Sequence, residues 1–414
     1  MTDPPPIPPS ITKKRPLLFA WEHGRGGGYA ARLGALAAAL RARGHPVLFA
    51  LREAPPAGLA ALGPVLPVPG GPYAPPPLPP GERFFRPVTF ADLLARGGFE
   101  DPDWLAAALS GWDALLRAHD PALVVAEGAP ALCLAAHGRL PVVQIGTGYA
   151  VPPVEGAWFP RFRDGRPYAA QPGLLARVRA ARRGAGRPPP GRLTDFWRAT
   201  VRLVHGFPSL DPYHGRRPPD RRERGIGPFL PLPGPLPPPA APAVLAYLDP
   251  GITGFAAIVE ALAALKVPGP VLVPRAAPGL VERLRRLGLD ARTAMPPLAE
   301  ALAAASHVVH HAGLETTMAA LATGRPQFLL PRNTAQSVAA RPLLERNLAW
   351  GCRPVPSAEV LTRLLRAFVA DATIVAWAGE VAAEAAAAGP YDGLGKAVAA
   401  CEAVLAARDP SLVG

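Results

Sequence analysis

Cysteine is scarce in this chain of 414 residues, and the positions of the few cysteines argue against disulfide-linked and metal-binding proteins. Cys133, Cys352 and Cys401 lie far apart, with neither the spacing of a metal-ligand set nor that of a redox pair. Scattered cysteines are typical of reduced core residues, because disulfide frameworks form in oxidising compartments. The sequence therefore predicts a cytoplasmic protein without a metal site.

Long hydrophobic runs are also missing, although 49% of the residues are hydrophobic, which is enough for sizeable cores. The first apolar run, Leu17 to Trp21, is followed at once by a charged, glycine-rich loop. It is too short for a signal peptide or a membrane span. We expect no membrane anchor, and peripheral contact with a membrane surface stays open.

Acidic residues are outnumbered, with 31 Asp and Glu against 44 Lys and Arg, so the net charge is +13. Such a balance can serve nucleic acids, membrane surfaces or acidic substrates. However, the chain has no nucleic-acid recognition module and no basic strip interleaved with aromatic residues. Lysine is rare, and Arg, Ala, Gly and Pro dominate, as they do in proteins from GC-rich genomes. We therefore expect no nucleic-acid partner.

The order of apolar and glycine-rich segments predicts two α/β halves. Leu17 to Trp21 is a candidate strand, residues 22–28 form a glycine loop, residues 30–43 have helical leucine spacing, and Val47 to Leu51 is a second strand. This β-loop-α-β start is typical of a Rossmann-like domain. Residues 207–211 resemble a further short strand.

A change in composition marks the boundary between the halves. Residues 227–242 are rich in proline and predict a stiff linker, after which strands and helices alternate again. The predicted divisions are a disordered proline-rich tail (1–15), a first Rossmann-like domain (16–226), the linker (227–242), a second Rossmann-like domain (243–394) and a C-terminal helix (395–414).

The stretch from Ser306 to Pro331 carries the clearest chemistry. A strand, a His-His-Ala-Gly turn, a Thr-Thr pair and an alanine-rich helix follow one another. Gly313 can adopt a left-handed conformation, and Thr316 and Thr317 lie where a helix begins with free N–H groups. Such a turn is a candidate phosphate site, while many turns of this kind are merely structural.

The order of residues in this stretch indicates a particular protein family more specifically than its chemistry does. It resembles the HHGGxGTxxEALxxGVPQ signature of bacterial family 1 (UDP-glycosyltransferase-like) glycosyltransferases. The matching residues are His310, His311, Gly313, Thr316, Thr317, Ala320, Leu321, Gly324, Pro326, Gln327 and Pro331, and the resemblance continues to Gln336.

The resemblance implies the GT-B fold, an α/β arrangement of two Rossmann-like domains whose parallel sheets face each other across a cleft, with the last helix packing back on the first domain. It implies a donor site in the second domain for a UDP- or dTDP-sugar, used as a co-substrate without any cofactor. The implied donor-site residues are His310, His311, Gly313, Thr316, Thr317 and Gln336. Arg275 either adds a positive charge there or is an ordinary surface arginine.

The first domain is then expected to bind a small-molecule or lipid-like acceptor beside the loop of Gly26, Gly27, Gly28 and Tyr29. In the family a histidine that deprotonates the acceptor hydroxyl follows the last glycine of this loop. Here Tyr29 stands in that place, and a phenol with an ordinary pKa near 10 is a poor base at neutral pH.

Other groups could supply the base. His23 and Glu22 lie on the same loop and are alternative bases or simply exposed loop residues. Glu127 ends a strand at the place where the family often has an aspartate that orients the catalytic histidine, and a plain loop carboxylate is the other interpretation.

Two more departures concern the donor. Ala319 replaces a ribose-binding glutamate of the family, and Ala335 replaces the aspartate of a sugar-binding Asp-Gln pair of which Gln336 remains. Two hypotheses follow. The first is an inverting, metal-independent glycosyltransferase, acting as a monomer or homodimer, and the second is a catalytically silent GT-B protein that binds a nucleotide, a glycan or a partner.

Overall fold

The computed structural model describes residues 14–24, 27–54, 57–71, 73–78, 80, 84–274 and 276–407. Most of the predicted tail, residues 1–13, lies outside this range, as do residues 408–414. Arg15, the last residue of that predicted tail, is among the described residues, and its guanidinium donates to the Asp120 carboxylate at 2.6 Å.

The first half of the chain is built on a parallel sheet. Within the described residues it has seven strands in the order β3-β2-β1-β4-β5-β6-β7. Most of them are buried along their whole length, because helices cover both faces of a parallel sheet. The strands are β1 Leu17–Trp21, β2 Val47–Leu51, β3 Val65–Pro67, β4 Leu123–Glu127, β5 Val142–Gly146, β6 Val201–His205 and β7 Glu223–Gly227.

The helices of this half are α1 Gly27–Ala42, α2 Ala57–Ala60, α3 Phe90–Leu94, α4 Pro102–His119, α5 Pro130–Ala136 and α6 Gln171–Gly184. Helix α4 illustrates their local causes. The Asp101 carboxylate caps its start by accepting from the backbone of Asp103 and Trp104, and Pro102 takes the first helical position. Apolar residues at helical spacing then bury one face of the helix.

The second half repeats this plan. In the described part of the chain, its sheet has six parallel strands in the order β10-β9-β8-β11-β12-β13. The strands are β8 Val244–Tyr247, β9 Pro270–Leu272, β10 Asp290–Arg292, β11 His307–His310, β12 Gln327–Leu329 and β13 Trp350–Gly351. The helices are α7 Phe255–Leu265, α8 Pro278–Arg286, α9 Leu298–Ala303, α10 Leu314–Thr323, α11 Thr334–Glu345, α12 Ala358–Ala370, α13 Ala372–Ala387 and α14 Gly393–Ala406.

The last helix, α14, returns to the first sheet. Its buried residues Ala397, Val398 and Cys401 share one core with Leu33 and Leu36 of α1. Gly393 lies so close to the Pro228 carbonyl that a β-carbon would overlap it. The C-terminal segment is therefore part of the first domain's core.

The proline-rich segment between the two sheets is held against the second half by Arg325. Its guanidinium donates to the carbonyls of Leu236 and Pro237 at 3.1 and 2.8 Å, and to Leu302 at 2.9 Å. Leu232 packs into the cores beside it. A proline-rich segment has few N–H groups with which to form backbone pairs, because proline lacks one. The N–H groups of Arg325 hold the segment in place by pairing with its carbonyls instead.

The short strand expected at residues 207–211 is wrong, because Pro208–Leu210 form one turn of 3-10 helix. Proline at the first helical position has the fixed φ of a helix start. Among the described residues, no helix is both long enough and apolar enough to cross a membrane.

We expect Phe368→Ala to lower the free energy of unfolding by about 3–5 kcal/mol. Phe368 is fully buried and its ring contacts those of His307, Phe328 and Trp350. Urea unfolding measures the loss. The control Arg363→Ala changes an exposed residue of the same helix and should cost less than about 0.5 kcal/mol. Equal losses in both variants would contradict this account of the core.

Candidate active site

The two sheets bring their functional residues together at the carboxyl ends of the strands, where open α/β sheets bind ligands. Trp21, Glu127 and His205 end β1, β4 and β6 in the first domain. The start of α10 lies opposite them, since a β-carbon at Gly206 would be 3.3 Å from Leu314 Cδ2. The candidate site is therefore the cleft between α1 and the first turn of α10.

Tyr29 lies in the first turn of α1, inside this cleft. Its ring stacks on Trp21 with the ring centroids 4.9 Å apart and an interplanar angle of 5°. Its hydroxyl rests on Gly24, where a β-carbon would overlap it. Burial raises the pKa of Tyr29 to about 12, and the Glu127 carboxylate acts in the same direction. The phenol therefore keeps its proton at neutral pH.

Glu127 is 1% exposed, and its Oε1 accepts hydrogen bonds from Nε and Nη2 of Arg32, the former at 2.8 Å. Its Oε2 is buried and has no hydrogen-bond partner among the described residues. Burial raises the pKa of Glu127 to about 7, while Arg32 opposes this rise. Glu127 is thus a cleft carboxylate that titrates near neutral pH, with one free oxygen.

Arg32 also reaches across to the second domain, where Nη1 donates to Oε1 of Glu315 at 2.7 Å. The Arg32 side chain is 7% exposed and that of Glu315 is 29% exposed. Sequence reasoning missed both residues. Arg32 shares a helix face with Leu36 and Leu40, and a charge on an apolar face was the available signal.

His205 is a third residue that the sequence did not single out. It is 2% exposed, and neither ring nitrogen has a hydrogen-bond partner within the described residues. Burial lowers the pKa of His205 well below its usual value, with Arg32 as a further cause. A neutral imidazole therefore lines the wall behind Arg32.

Glu22 and His23, the other two candidate bases, are held by contacts within the first domain. Both carboxylate oxygens of Glu22 accept backbone hydrogen bonds at the start of α5, from Ala131 at 2.8 Å and Leu132 at 2.7 Å. The His23 ring packs on Gly97, where a β-carbon would overlap it, and is 27% exposed. Burial and the nearby charge of Arg52 lower the pKa of His23 to about 4.

In the second domain, the two histidines of the signature are held from within the domain. His310 is fully buried, and its Nε2 lies 2.9 Å from Gln327 Oε1. His311 Nδ1 lies 2.8 Å from the Leu330 carbonyl, and its Nε2 accepts from the Asp249 N–H at 2.8 Å. Both ring nitrogens of His311 therefore have backbone partners.

The turn before α10 opens towards the cleft. A β-carbon at Gly313 would meet no atom within 4 Å. The left-handed residue of this turn is Ala312, with φ 57°, whereas Gly313 has φ −64°. Thr316 is buried, and the hydroxyl of the fully buried Thr317 has no partner in the described part of the chain.

The remaining predicted residues lie at the edges of the site. Gln336 turns back on its own helix start, where its Oε1 accepts from the Arg332 N–H at 2.8 Å. Gly27 and Gly28 belong to the first turn of α1. Gly26 and Arg275 lie outside the described residues. Over the described ranges, no group of three or more His, Cys, Asp or Glu could hold a metal ion.

Comparison with known sequences finds similarity over a short part of the chain. No protein-family model matches the chain. The elloramycin glycosyltransferase ElmGT of Streptomyces olivaceus is 44% identical over 70 residues, which are 17% of this chain and 18% of ElmGT. The match thus spans less than a fifth of that relative's length.

Solved structures match along nearly the whole chain. The calicheamicin glycosyltransferase CalG4 has a TM-score of 0.67 at 19% identity, covering 96% of this chain and 100% of CalG4. The glycosyltransferase VinC, solved with dTDP, has a TM-score of 0.63 at 19% identity, covering 94% and 99%. The predicted GT-B fold is therefore confirmed.

We expect Arg32→Met to lower the free energy of unfolding by about 3–5 kcal/mol, because it leaves the buried carboxyl of Glu127 without its partner. Urea unfolding at pH 7.5 measures the loss, and the added change Glu127→Gln should recover a large part of it. Arg43→Met, which breaks the exposed pair with Glu402, is the control and should cost below about 1 kcal/mol. A double variant as unstable as Arg32→Met would refute the coupling.

We also expect stability to fall as the pH rises from 6.5 to 8. Burial raises the pKa of Glu22 from 4.5 to about 8, so the folded state binds this proton more tightly than the unfolded state does. Raising the pH through this window therefore favours unfolding. The buried histidines His307 and His310, with their pKa values lowered to about 4, act in the opposite direction only below pH 6.5.

Urea unfolding at several pH values across the window measures this slope. Glu22→Gln should reduce it, most clearly between pH 7 and 8, because the amide does not titrate and the pKa of Glu127, raised by burial to about 7, gives a slope of the same sign at lower pH. A slope of the same size in the variant would mean that other groups cause it.

Proposed function

We propose that the protein is a glycosyltransferase that moves a sugar from a nucleoside diphosphate sugar to the hydroxyl of a small-molecule acceptor. The observation that carries the proposal is the meeting of α1 and the start of α10 across the cleft of a GT-B fold, with the bare Gly313 facing open space. This geometry suits an anionic donor on one side and an acceptor on the other.

The donor side favours a diphosphate. The first N–H groups of α10 have no partners within the helix, and the helix dipole places partial positive charge there. Gly313 has no side chain that would obstruct a phosphate. VinC was solved in complex with dTDP, which supports a dTDP-sugar over other donors for this chain, with a UDP-sugar as the second choice.

The acceptor side favours a small molecule. CalG4 and ElmGT are named for calicheamicin and elloramycin, so both relatives support an acceptor of natural-product type. We assign the base to Glu127, because its Oε2 has no hydrogen-bond partner in the described chain and its pKa of about 7 suits proton transfer at neutral pH.

In this scheme the acceptor hydroxyl gives its proton to Glu127 Oε2. Its oxygen forms a bond to the anomeric carbon from one face, while the bond from that carbon to the diphosphate oxygen breaks on the other face. The configuration at the anomeric carbon is therefore inverted. The leaving diphosphate carries away the bonding electrons, and donors at the start of α10 stabilise its charge.

The rival function is a catalytically silent protein that binds a nucleotide, a glycan or a partner. The observation that favours it is the replacement of the family's base by Tyr29, whose pKa is raised to about 12 by burial. Both functions include nucleotide binding, so only a measurement of transfer separates them.

Nucleotide binding can be tested by thermal stabilisation with dTDP, UDP and GDP. We expect dTDP at one hundred times its Kd to stabilise the fold by about 2.7 kcal/mol. Gly313→Val should abolish this shift, because the new side chain points into empty space where the diphosphate is expected. Gly279→Ala on α8, also unobstructed, is the control and should keep it. Without any shift in the unaltered protein, the donor site is refuted.

Transfer can be tested with dTDP-sugars and a panel of polyphenolic and macrocyclic acceptors, by mass spectrometry of the products. We expect Glu127→Gln to lower kcat by about 10²–10⁴-fold, the usual contribution of a general base, and to leave dTDP binding intact. Full activity in this variant would remove Glu127 from the mechanism. Binding of dTDP without transfer to any acceptor would favour the silent protein.

A further inference from the structure

The ion pair between Arg32 and Glu315 joins the two domains inside the cleft. Arg32 of α1 donates through Nη1 to Oε1 of Glu315, the second residue of α10, at 2.7 Å. These residues are 283 positions apart in the chain. The contact is therefore a direct bridge between the acceptor half and the donor half.

The guanidinium divides its donors between the domains. Nε and Nη2 face Glu127 within the first domain, and Nη1 alone crosses to Glu315. The planar fork of an arginine permits this, since its five N–H groups point in fixed directions. Loss of the Glu315 contact would therefore leave Arg32 anchored, with one donor edge open to the second domain.

Glu315 itself lies at a place that attracts anions. It is in the first turn of α10, beside N–H groups that lack partners within the helix, and it faces a cation from the opposite domain. A carboxylate satisfies both features in the unliganded protein. A diphosphate oxygen has the same charge and accepts the same hydrogen bonds.

We propose that the Glu315 carboxylate holds the place of the donor diphosphate, and that Arg32 binds the diphosphate once Glu315 turns away. The side chain of Glu315 is 29% exposed, so it has a path to solvent, whereas Arg32 is 7% exposed and stays in place. This inference rests on the proposed function, because it assigns the first domain a residue that contacts the donor of that reaction.

Glu315→Gln tests the inference, because the amide keeps the size of the side chain but no longer repels a phosphate or pairs with Arg32 as a charge. We expect calorimetric titration with dTDP to give an affinity about tenfold higher than that of the unaltered protein. Titration with thymidine, which lacks phosphates, should give equal affinities for both. The control Glu359→Gln alters an exposed carboxylate on α12 and should change neither.

A second variant tests the arginine. Arg32→Met combined with Glu127→Gln removes the cation without leaving a buried charge unpaired. We expect it to bind dTDP about tenfold more weakly than Glu127→Gln alone, with unchanged affinity for thymidine. Circular dichroism and the melting temperature establish that the double variant is folded.

The outcomes separate the two proposals. If the unaltered protein binds dTDP and Glu315→Gln binds it with the same or a lower affinity, the inference about Glu315 is wrong while the proposed function stands. If the folded double variant binds dTDP as tightly as Glu127→Gln alone does, the proposed contact between Arg32 and the diphosphate is wrong. If neither the unaltered protein nor any variant binds dTDP or UDP, both proposals fail together.

Discussion

The buried charge of Arg32 constrains the positions of the groups that surround it. Removing a guanidinium from water costs several kcal/mol unless carboxylates surround it at hydrogen-bonding distance. Arg32 meets this condition with Glu127 at the end of β4 and Glu315 at the start of α10. The position of α1 over the first sheet and the approach of the second domain are thus tied to one side chain, and the same side chain determines which oxygen of Glu127 is free.

Burial explains the pKa shifts of the groups around the cleft better than any single residue type does. Glycines at 24, 97 and 206 let the side chains of Tyr29, His23 and Leu314 lie directly on the backbone. Burial then raises the pKa of Tyr29 and of Glu127 and lowers that of His205, which favours the neutral form of each group. Of these three, only Glu127 is left titrating close to neutral pH.

The sequence predicts the parts of this molecule that depend on local order. The alternation of strands and helices, the restart after the proline-rich linker and the turn before α10 follow from periodicity, proline and glycine. The contacts that join the two domains cannot be predicted from local order. Arg32 meets Glu127 and Glu315 across 95 and 283 positions, and its helical spacing predicts only that it lies on the buried face. The 3-10 turn at Pro208 was missed because a short apolar run with proline fits a strand edge as well as a helix start.

Arg32 also links the donor to the base, if the proposed roles of Glu127 and Glu315 hold. The charge of Glu315 already contributes to the raised pKa of Glu127, after burial and against the effect of Arg32. A diphosphate in place of Glu315 draws on the same guanidinium, so the positive charge that Arg32 presents to Glu127 depends on the charge of the diphosphate. As the bond to the sugar breaks, charge on the diphosphate grows, and Glu127 becomes a stronger base at the moment when the acceptor hydroxyl must lose its proton. A cleft that lacks the family's histidine can thus couple deprotonation of the acceptor to departure of the donor through one arginine between two carboxylates.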